Sequence, residues 1–301
     1  MDIFNIVWPV IAIFVAGFTA QRFLNIELAP LSTFTIYLLV PFLAFRTFYQ
    51  EGIDKEIVYY AVFVGALCLL LVLVGYCFSY FWHKDKEKHY GFILSSAFMN
   101  NGNFGVPLVL AIFGDQALNI AVMLMVLQQL LMSSVGVYFA AKGSPIEAAK
   151  GWSVIWKVLK LPLLYAALLG FIFNITSITL PKEMTGSINS IADAAIPVIM
   201  LLLGMQLANI SFVHINVSRM ISAVLVRLII SPAVAWLLVV LLPVNTLTGN
   251  IMIVMAAAPS AANTTLYAVQ FQTDPHHVSA VTLITTLSSI FTIPLLLLLL
   301  I

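Results

Sequence analysis

Ten apolar stretches, each about the length that crosses a bilayer as a helix, follow one another with little between them. They run roughly Ile3–Ala20, Pro30–Phe48, Ile57–Trp82, Tyr90–Phe113, Gln116–Ala141, Ile155–Asn174, Met184–Ala208, Val217–Leu242, Thr248–Phe271 and His276–Leu300. Inside lipid a chain must satisfy its own backbone polar groups, so such stretches fold as helices or close into a barrel. Runs of this length are helical, and the sequence predicts an all-α polytopic membrane protein. Its charge agrees: 8% of the 301 residues are charged and 62% are hydrophobic, where a soluble domain carries roughly a quarter charged residues. So few cations exclude a nucleic-acid-binding face. The opening Met1-Asp2-Ile3 has no positive leader, so the first run is expected to be a retained span.

Loops are short, and the longest polar stretch is Lys142–Trp152. Lysine and arginine divide unevenly between the two sides. Arg22, Lys84, Lys86, Lys88, Lys142, Lys150 and Arg219 fall on one, with Lys157 and Lys160 just inside the sixth segment. The other, which holds both termini, has Lys55 and Lys182. The positive-inside rule then puts both termini outside the cytoplasm. Cys68 and Cys77 are nine residues apart in one helical run, about 13 Å along its axis, too far for a disulfide. They read as core-filling residues. His83, His89, His214, His276 and His277 fall in or beside predicted loops and are expected to be solvated. No histidine–cysteine set has metal-ligand spacing.

The fourth segment contains Asn100-Asn101-Gly102-Asn103-Phe104-Gly105-Val106-Pro107. Three amides, two glycines and a proline are poor material for mid-membrane helix. The ninth segment has its own interruption, Ala258-Pro259-Ser260-Ala261-Ala262-Asn263. The second segment carries Val40-Pro41-Phe42 and the seventh Ile196-Pro197-Val198. Both pairs are offset by about 156 to 160 residues, half the chain. Five segments per half is odd, so the second half must be inverted. Inverted repeats, each with a broken helix in the corresponding place, are the pattern of secondary transporters, with the site where the breaks meet. The expected domains are a first repeat over 1–141, a linker over 142–154 and a second repeat over 155–301.

Asn100, Asn101, Asn103 and Asn263, with Pro259, Ser260 and Thr264, are the substrate-binding candidates at the breaks. Gln128, midway through the fifth segment, either lines a cavity or bonds between helices. Gly102, Gly105, Pro107 and Pro259 are expected to hold the helices open. Half-helix N-termini carry free N–H groups and partial positive charge, which favours an anion. Of the ionisable residues within segments, Asp193 reads as a proton or cation site, a switching counter-charge or a structural ion pair. Arg227 is read as a partner for Asp193, an attractor of anions, or a structural or gating residue. Arg46 lies near a segment end and can snorkel.

Several motifs recur in one family. Asn100 precedes Gly105-Val106-Pro107-Leu108 at the family spacing. Val40-Pro41-Phe42-Leu43-Ala44-Phe45, Val126-Leu127-Gln128, Asp193-Ala194 with Leu203-Gly204, and Arg227 with Pro232-Ala233-Val234 follow in order. In these the chain resembles the auxin efflux carrier family, its compact bacterial members more than the plant proteins. It lacks the long central loop of plant members. Met99 stands where they have proline, so the first break must rely on Gly102, Gly105 and Pro107, and the ninth-segment match is loose.

The resemblance implies ten helices in two inverted five-helix repeats, with broken helices 4 and 9 crossed, as in sodium–proton antiporters and bile-acid transporters. It implies a scaffold of helices 1, 2, 6 and 7, a transport domain of helices 3–5 and 8–10, a homodimer and an elevator-type movement. It carries Asn100 and Gln128 over as site residues. Together these features predict a bacterial cell-membrane carrier of small organic anions such as malate. No enzyme, cofactor or metal is expected, and Asp193 offers a route to proton coupling. The competing readings are a carrier of auxin-like aromatic carboxylates and a ligand-binding membrane sensor of the same fold.

Overall fold

A computed structural model describes residues 3–50, 56–82, 85–145, 162–208 and 216–300. Lys55, His83, Lys84, Lys150, Lys157, Lys160 and His214, with most of the linker over 142–154 and the start of the sixth segment, lie outside the described residues. The described chain is helical, and its one strand-like pairing is an isolated bridge. The helices are α1 (Ile3–Leu24), α2 (Leu28–Phe34), α3 (Val40–Gln50), α4 (Glu56–Trp82), α5 (Lys86–Ala97), α6 (Val106–Phe113), α7 (Asp115–Leu131) and α8 (Val137–Gly143). They continue with α9 (Pro162–Ile175), α10 (Lys182–Ala208), α11 (Val217–Leu225), α12 (Ser231–Leu241), α13 (Thr246–Ala256), α14 (Ala262–Phe271) and α15 (Pro275–Leu300).

Among the described residues six helical runs are long and apolar enough to cross a membrane: Pro30–Gln50, Glu56–Tyr80, Asp115–Gly143, Lys182–Ala208, Val217–Leu241 and Pro275–Leu300. Shorter apolar helices occupy the remaining segments. The fourth and ninth are short because each is cut in two, into α5 and α6 and into α13 and α14.

Among the described residues four five-residue π turns lead into the helices that follow them, at Thr35–Leu39, Asn101–Gly105, Met132–Gly136 and Val226–Ile230. Three precede a proline by two residues: Pro41, Pro107 and Pro232. Proline has no N–H to donate, and its ring collides with the carbonyl four residues back in a regular helix. In all three cases that carbonyl belongs to the middle residue of the π turn, where the wider coil gives it room. Pro197 and Pro294 sit inside regular helix instead.

The chain divides into two compact units. The first comprises Met1–Tyr60, Gly102–Val126 and Leu159–Asn209. In it α1 packs along α10 through reciprocal glycines. A Cβ at Gly17 would stand 2.1 Å from the carbonyl oxygen of Leu201, and one at Gly204 2.1 Å from that of Phe14. On α9, Gly170 meets the Phe45 carbonyl of α3 in the same way, at 2.4 Å. Asn174 Nδ2 donates to the Tyr49 carbonyl at 2.8 Å and fixes the end of that contact. Small residues at such crossings let backbones approach, which is how helices associate where no hydrophobic effect separates them from lipid.

The second unit comprises Ala61–Asn101, Leu127–Val158 and Ile210–Ile301. Here α5 packs on α8 and α15, α12 on α13, and α14 on α15. Thr273 seals the turn between α14 and α15 by donating to the Ala140 carbonyl at 2.6 Å. Arg219 is 6% exposed and pairs with Asp274 at 2.5 Å, and its Nε donates to His277 Nδ1 at 3.2 Å.

Three expectations change. Cys68 is buried as a core residue, but Cys77 is exposed on the opposite side of α4. His277 is buried, stacked on Phe92 and held by Arg219, because α15 begins at Pro275 and carries it inward. His89 is half-buried beside Ser79, with Nδ1 2.7 Å from the hydroxyl, because α5 starts three residues ahead of it.

Candidate substrate site

The second unit brings the two interruptions together. Helix α5 ends at Ala97, and Phe98 takes an extended conformation (φ −108°, ψ 126°). Helix α13 ends at Ala256, and α14 resumes at Ala262 from an extended Ala261 (φ −68°, ψ 131°). Between them Met99 and Ser260 form an antiparallel bridge. The Asn100 amide donates to the Pro259 carbonyl at 2.8 Å, and the Ala261 amide donates to the Phe98 carbonyl at 3.0 Å. Each break therefore satisfies backbone groups that the other leaves open, the condition for irregular backbone at membrane depth. Pro259 has no N–H, so it enters the pairing as an acceptor only. The Ser260 amide donates to Thr285 Oγ1 of α15 at 3.1 Å, which ties the second break to the last helix.

Asn100, Asn101, Ser260 and Thr264 are all buried here. The Thr264 hydroxyl is committed to its own helix start, donating to the Ala261 carbonyl at 2.6 Å. Asn263 is half-buried in the first turn of α14. Asn101 Oδ1 and both amide atoms of Gln128 are buried without a hydrogen-bond partner among the described residues. An unpartnered buried amide costs about 1–3 kcal/mol, so such groups signal a functional demand. No hydrogen bond ties Gln128 to either interruption; its neighbour Gln129 bonds Ser133 at 3.1 Å instead.

The helix-opening residues divide. Pro259 lies within the extended stretch of the second break. Gly102 and Gly105 lie in the π turn after the first break, and Pro107 opens α6. These three belong to the first unit, as does the half-buried Asn103. A Cβ at Gly102 would stand 3.5 Å from Met125 Sδ, an ordinary contact, so no tight crossing requires that glycine.

The two charged candidates have different partners. Asp193 forms an ion pair with Arg46 inside the first unit; its side chain is 70% exposed and that of Arg46 12%. Arg46 is thus engaged in an ion pair. Arg227 is wholly buried in the second unit, and among the described residues no carboxylate stands within ion-pair distance of it. Its Nη1 donates to the Ser96 carbonyl at 3.3 Å, and its Nη2 to the Ala256 carbonyl at 2.5 Å and to the Ser231 hydroxyl. Ser231 also donates to the Ala256 carbonyl, at 2.7 Å.

Sequence reasoning expected the breaks to meet but missed the backbone hydrogen bonds that join them, the carbonyl partners of Arg227 and the hydroxyls of α15. A signal for the last was present: Thr282, Thr285, Thr286 and Ser289 recur at helical spacing and are buried. Among the described residues no group of three or more histidine, cysteine or acidic side chains is placed to hold a metal.

Long apolar helices with paired interruptions define a multi-pass membrane protein with the features of a carrier. The chain belongs to the membrane transport protein family, which it matches over residues 2–297, the auxin efflux carrier family its motifs resemble. It is 27% identical over 274 residues to an uncharacterized transporter of Methanothermobacter thermautotrophicus, covering 89% of this chain and 88% of that one. It is 28% identical over 276 residues to an uncharacterized transporter of Methanocaldococcus jannaschii, covering 88% and 87%. The protein is a membrane transporter and not an enzyme.

Proposed function

We propose that the protein carries small organic anions, mono- or dicarboxylates such as malate, across the cell membrane. The substrate binds at the paired interruptions. The observation that carries this reading is the coincidence in one unit of two hydrogen-bonded breaks with buried, unpartnered amide atoms of Asn101 and Gln128. Neutral amides recognise a carboxylate and release it more readily than a buried lysine does. Asn100, Ser260, Asn263 and Thr264 frame the same place, and the Pro259 carbonyl pairs the breaks.

In this reading segments 4 and 9 cross within two inverted five-helix repeats. Helices 3–5 and 8–10 move as the transport body of an elevator, with helices 1, 2, 6 and 7 as the scaffold of a homodimer. The two compact units support that division in part: segments 1, 2 and 7 lie in the first and segments 8–10 in the second, whereas Gly102–Val126, from segments 4 and 5, goes with the first. The packing of the first helix on the seventh and of the sixth on the second, which an inverted repeat requires of one another, supports the division too. Both termini face away from the cytoplasm, and the Asp193–Arg46 pair is the place for coupling to a proton.

Thermal stability of the purified protein measured against a panel of organic acids tests the assignment. A ligand that binds the native state raises apparent stability by RT ln(1 + [L]/Kd). Stabilisation by one or more carboxylates, lost in Asn100→Ala, is the expected result. Equal response to carboxylates and to their neutral amides rejects the anion.

A further inference from the structure

Arg227 sits in the π turn Val226–Ile230, which turns its side chain into the interior of the second unit. A full positive charge at that depth is costly unless something compensates it. Here the compensation is not an acid. The Ser96 carbonyl is one of the last in α5, and the Ala256 carbonyl is the last in α13. Both belong to the C-terminal turns whose carbonyls lack partners within their own helix. Each helix C-terminus carries roughly half a negative elementary charge, so one guanidinium offsets two such ends. These ends lead directly into the two interruptions, at Phe98 and at Ala257.

We propose that Arg227 is a tethered counter-cation that joins the C-termini of the two half-helices and thereby positions both interruptions. Half-helix C-termini in secondary transporters commonly coordinate a coupling cation such as sodium. In this chain a side chain donates to the carbonyls at those ends. The N-terminus of α14, whose Ala261 cap makes no side-chain hydrogen bond and whose first turn holds no acid, is a positive end beside the second break. The anionic preference of the site, which rests on the function proposed above, then depends on the charge of a residue that need not touch the substrate. Among the described residues Nε of Arg227 has no hydrogen-bond partner, and the guanidinium is held through its Nη atoms.

The test uses the full chain with Arg227→Lys, Arg227→Met and Arg227→Ala. Arg227→Met fills the space without the charge and is expected to melt several degrees below the natural protein, with Arg227→Lys between the two. Low-millimolar guanidinium is expected to raise the melting temperature of Arg227→Ala and not that of Arg227→Met, while equal potassium chloride does neither. In hydrogen exchange, the amides of Asn100 and Ala261 are expected to exchange at least about tenfold faster in Arg227→Met, the loss of roughly one charge-assisted hydrogen bond. Wild-type stability in Arg227→Met, or unchanged exchange at both breaks, overturns the proposal. If Arg227→Ala does not fold, the Lys and Met variants decide it. Succinate and acetate binding form a separate arm: Arg227→Met is expected to weaken succinate more than acetate. If the natural protein binds neither, the function proposed above fails while exchange and rescue still judge Arg227.

Discussion

The Asn100 amide and the Pro259 carbonyl meet at 2.8 Å, although 159 positions separate them in the chain. Two non-helical stretches complete each other's hydrogen bonding, and the buried amides of Asn101 and Gln128 are carried in the same unit. The arrangement has consequences for stability that differ from those for transport.

Gln128 is the clearest case. Its amide is 2% exposed and neither polar atom has a partner. Replacing an unpartnered buried polar group by an apolar one of like shape removes a penalty of about 1–3 kcal/mol. Gln128→Met is expected to raise the melting temperature and to lower substrate affinity, the usual opposition between stability and function at a site. Thermal melts with and without ligand measure both.

The reciprocal glycines of the first unit predict the opposite. Gly17→Ala and Gly204→Ala each drive a Cβ into a backbone carbonyl of the facing helix, where no side chain can yield. Overpacking of this kind costs about 1–3 kcal/mol or more. Gly65→Ala, with open space at the Cβ position, is the control and is expected to be neutral. Melting temperatures of the three variants decide it.

Breaking the buried Arg219–Asp274 pair leaves a charge without its partner. Asp274→Asn keeps a residue type that tolerates the positive φ of 47° at this turn, so the effect reports the charge. A loss of roughly 3–5 kcal/mol is expected, reduced when Arg219→Met is added. A double-mutant cycle measures it.

His89 predicts a pH dependence. Burial holds its pKa below the ordinary histidine value, and the charge of Lys142 adds to the effect. The neutral ring is therefore the native form. Its contribution to stability is full above the unfolded value near ~6.5 and is lost as pH falls through the lower folded value. The melting temperature of the natural protein should drop on acidification more than that of His89→Gln.

The sequence made the membrane helices legible because an apolar run of bilayer length has few alternatives. For Lys182–Ala208 and Pro275–Leu300, each filling a whole segment, the ends lie within two residues of the expected ones. The breaks were legible as composition, Asn100 to Pro107 and Ala258 to Asn263, and their meeting was expected from the repeat, but the hydrogen bonds that join them were not. An antiparallel bridge between Met99 and Ser260 depends on the tertiary approach of two distant stretches and has no local signature. Three of the π turns were implicit in Pro41, Pro107 and Pro232, whereas that at Met132–Gly136 has no proline to announce it. The role of Arg227 was hidden for a further reason. A lone arginine suggests an acidic partner, and Asp193 was the acid on offer, but two carbonyls and a serine satisfy it instead.

The most direct measurement is uptake of labelled dicarboxylates into proteoliposomes containing the natural protein, Asn100→Ala or Gln128→Met. The predicted result is saturable uptake by the natural protein, competed by unlabelled carboxylates and reduced at least about tenfold in either variant, the loss of a hydrogen bond to a charged group. Uptake unchanged in both variants, or no carboxylate moved by the natural protein, would contradict it.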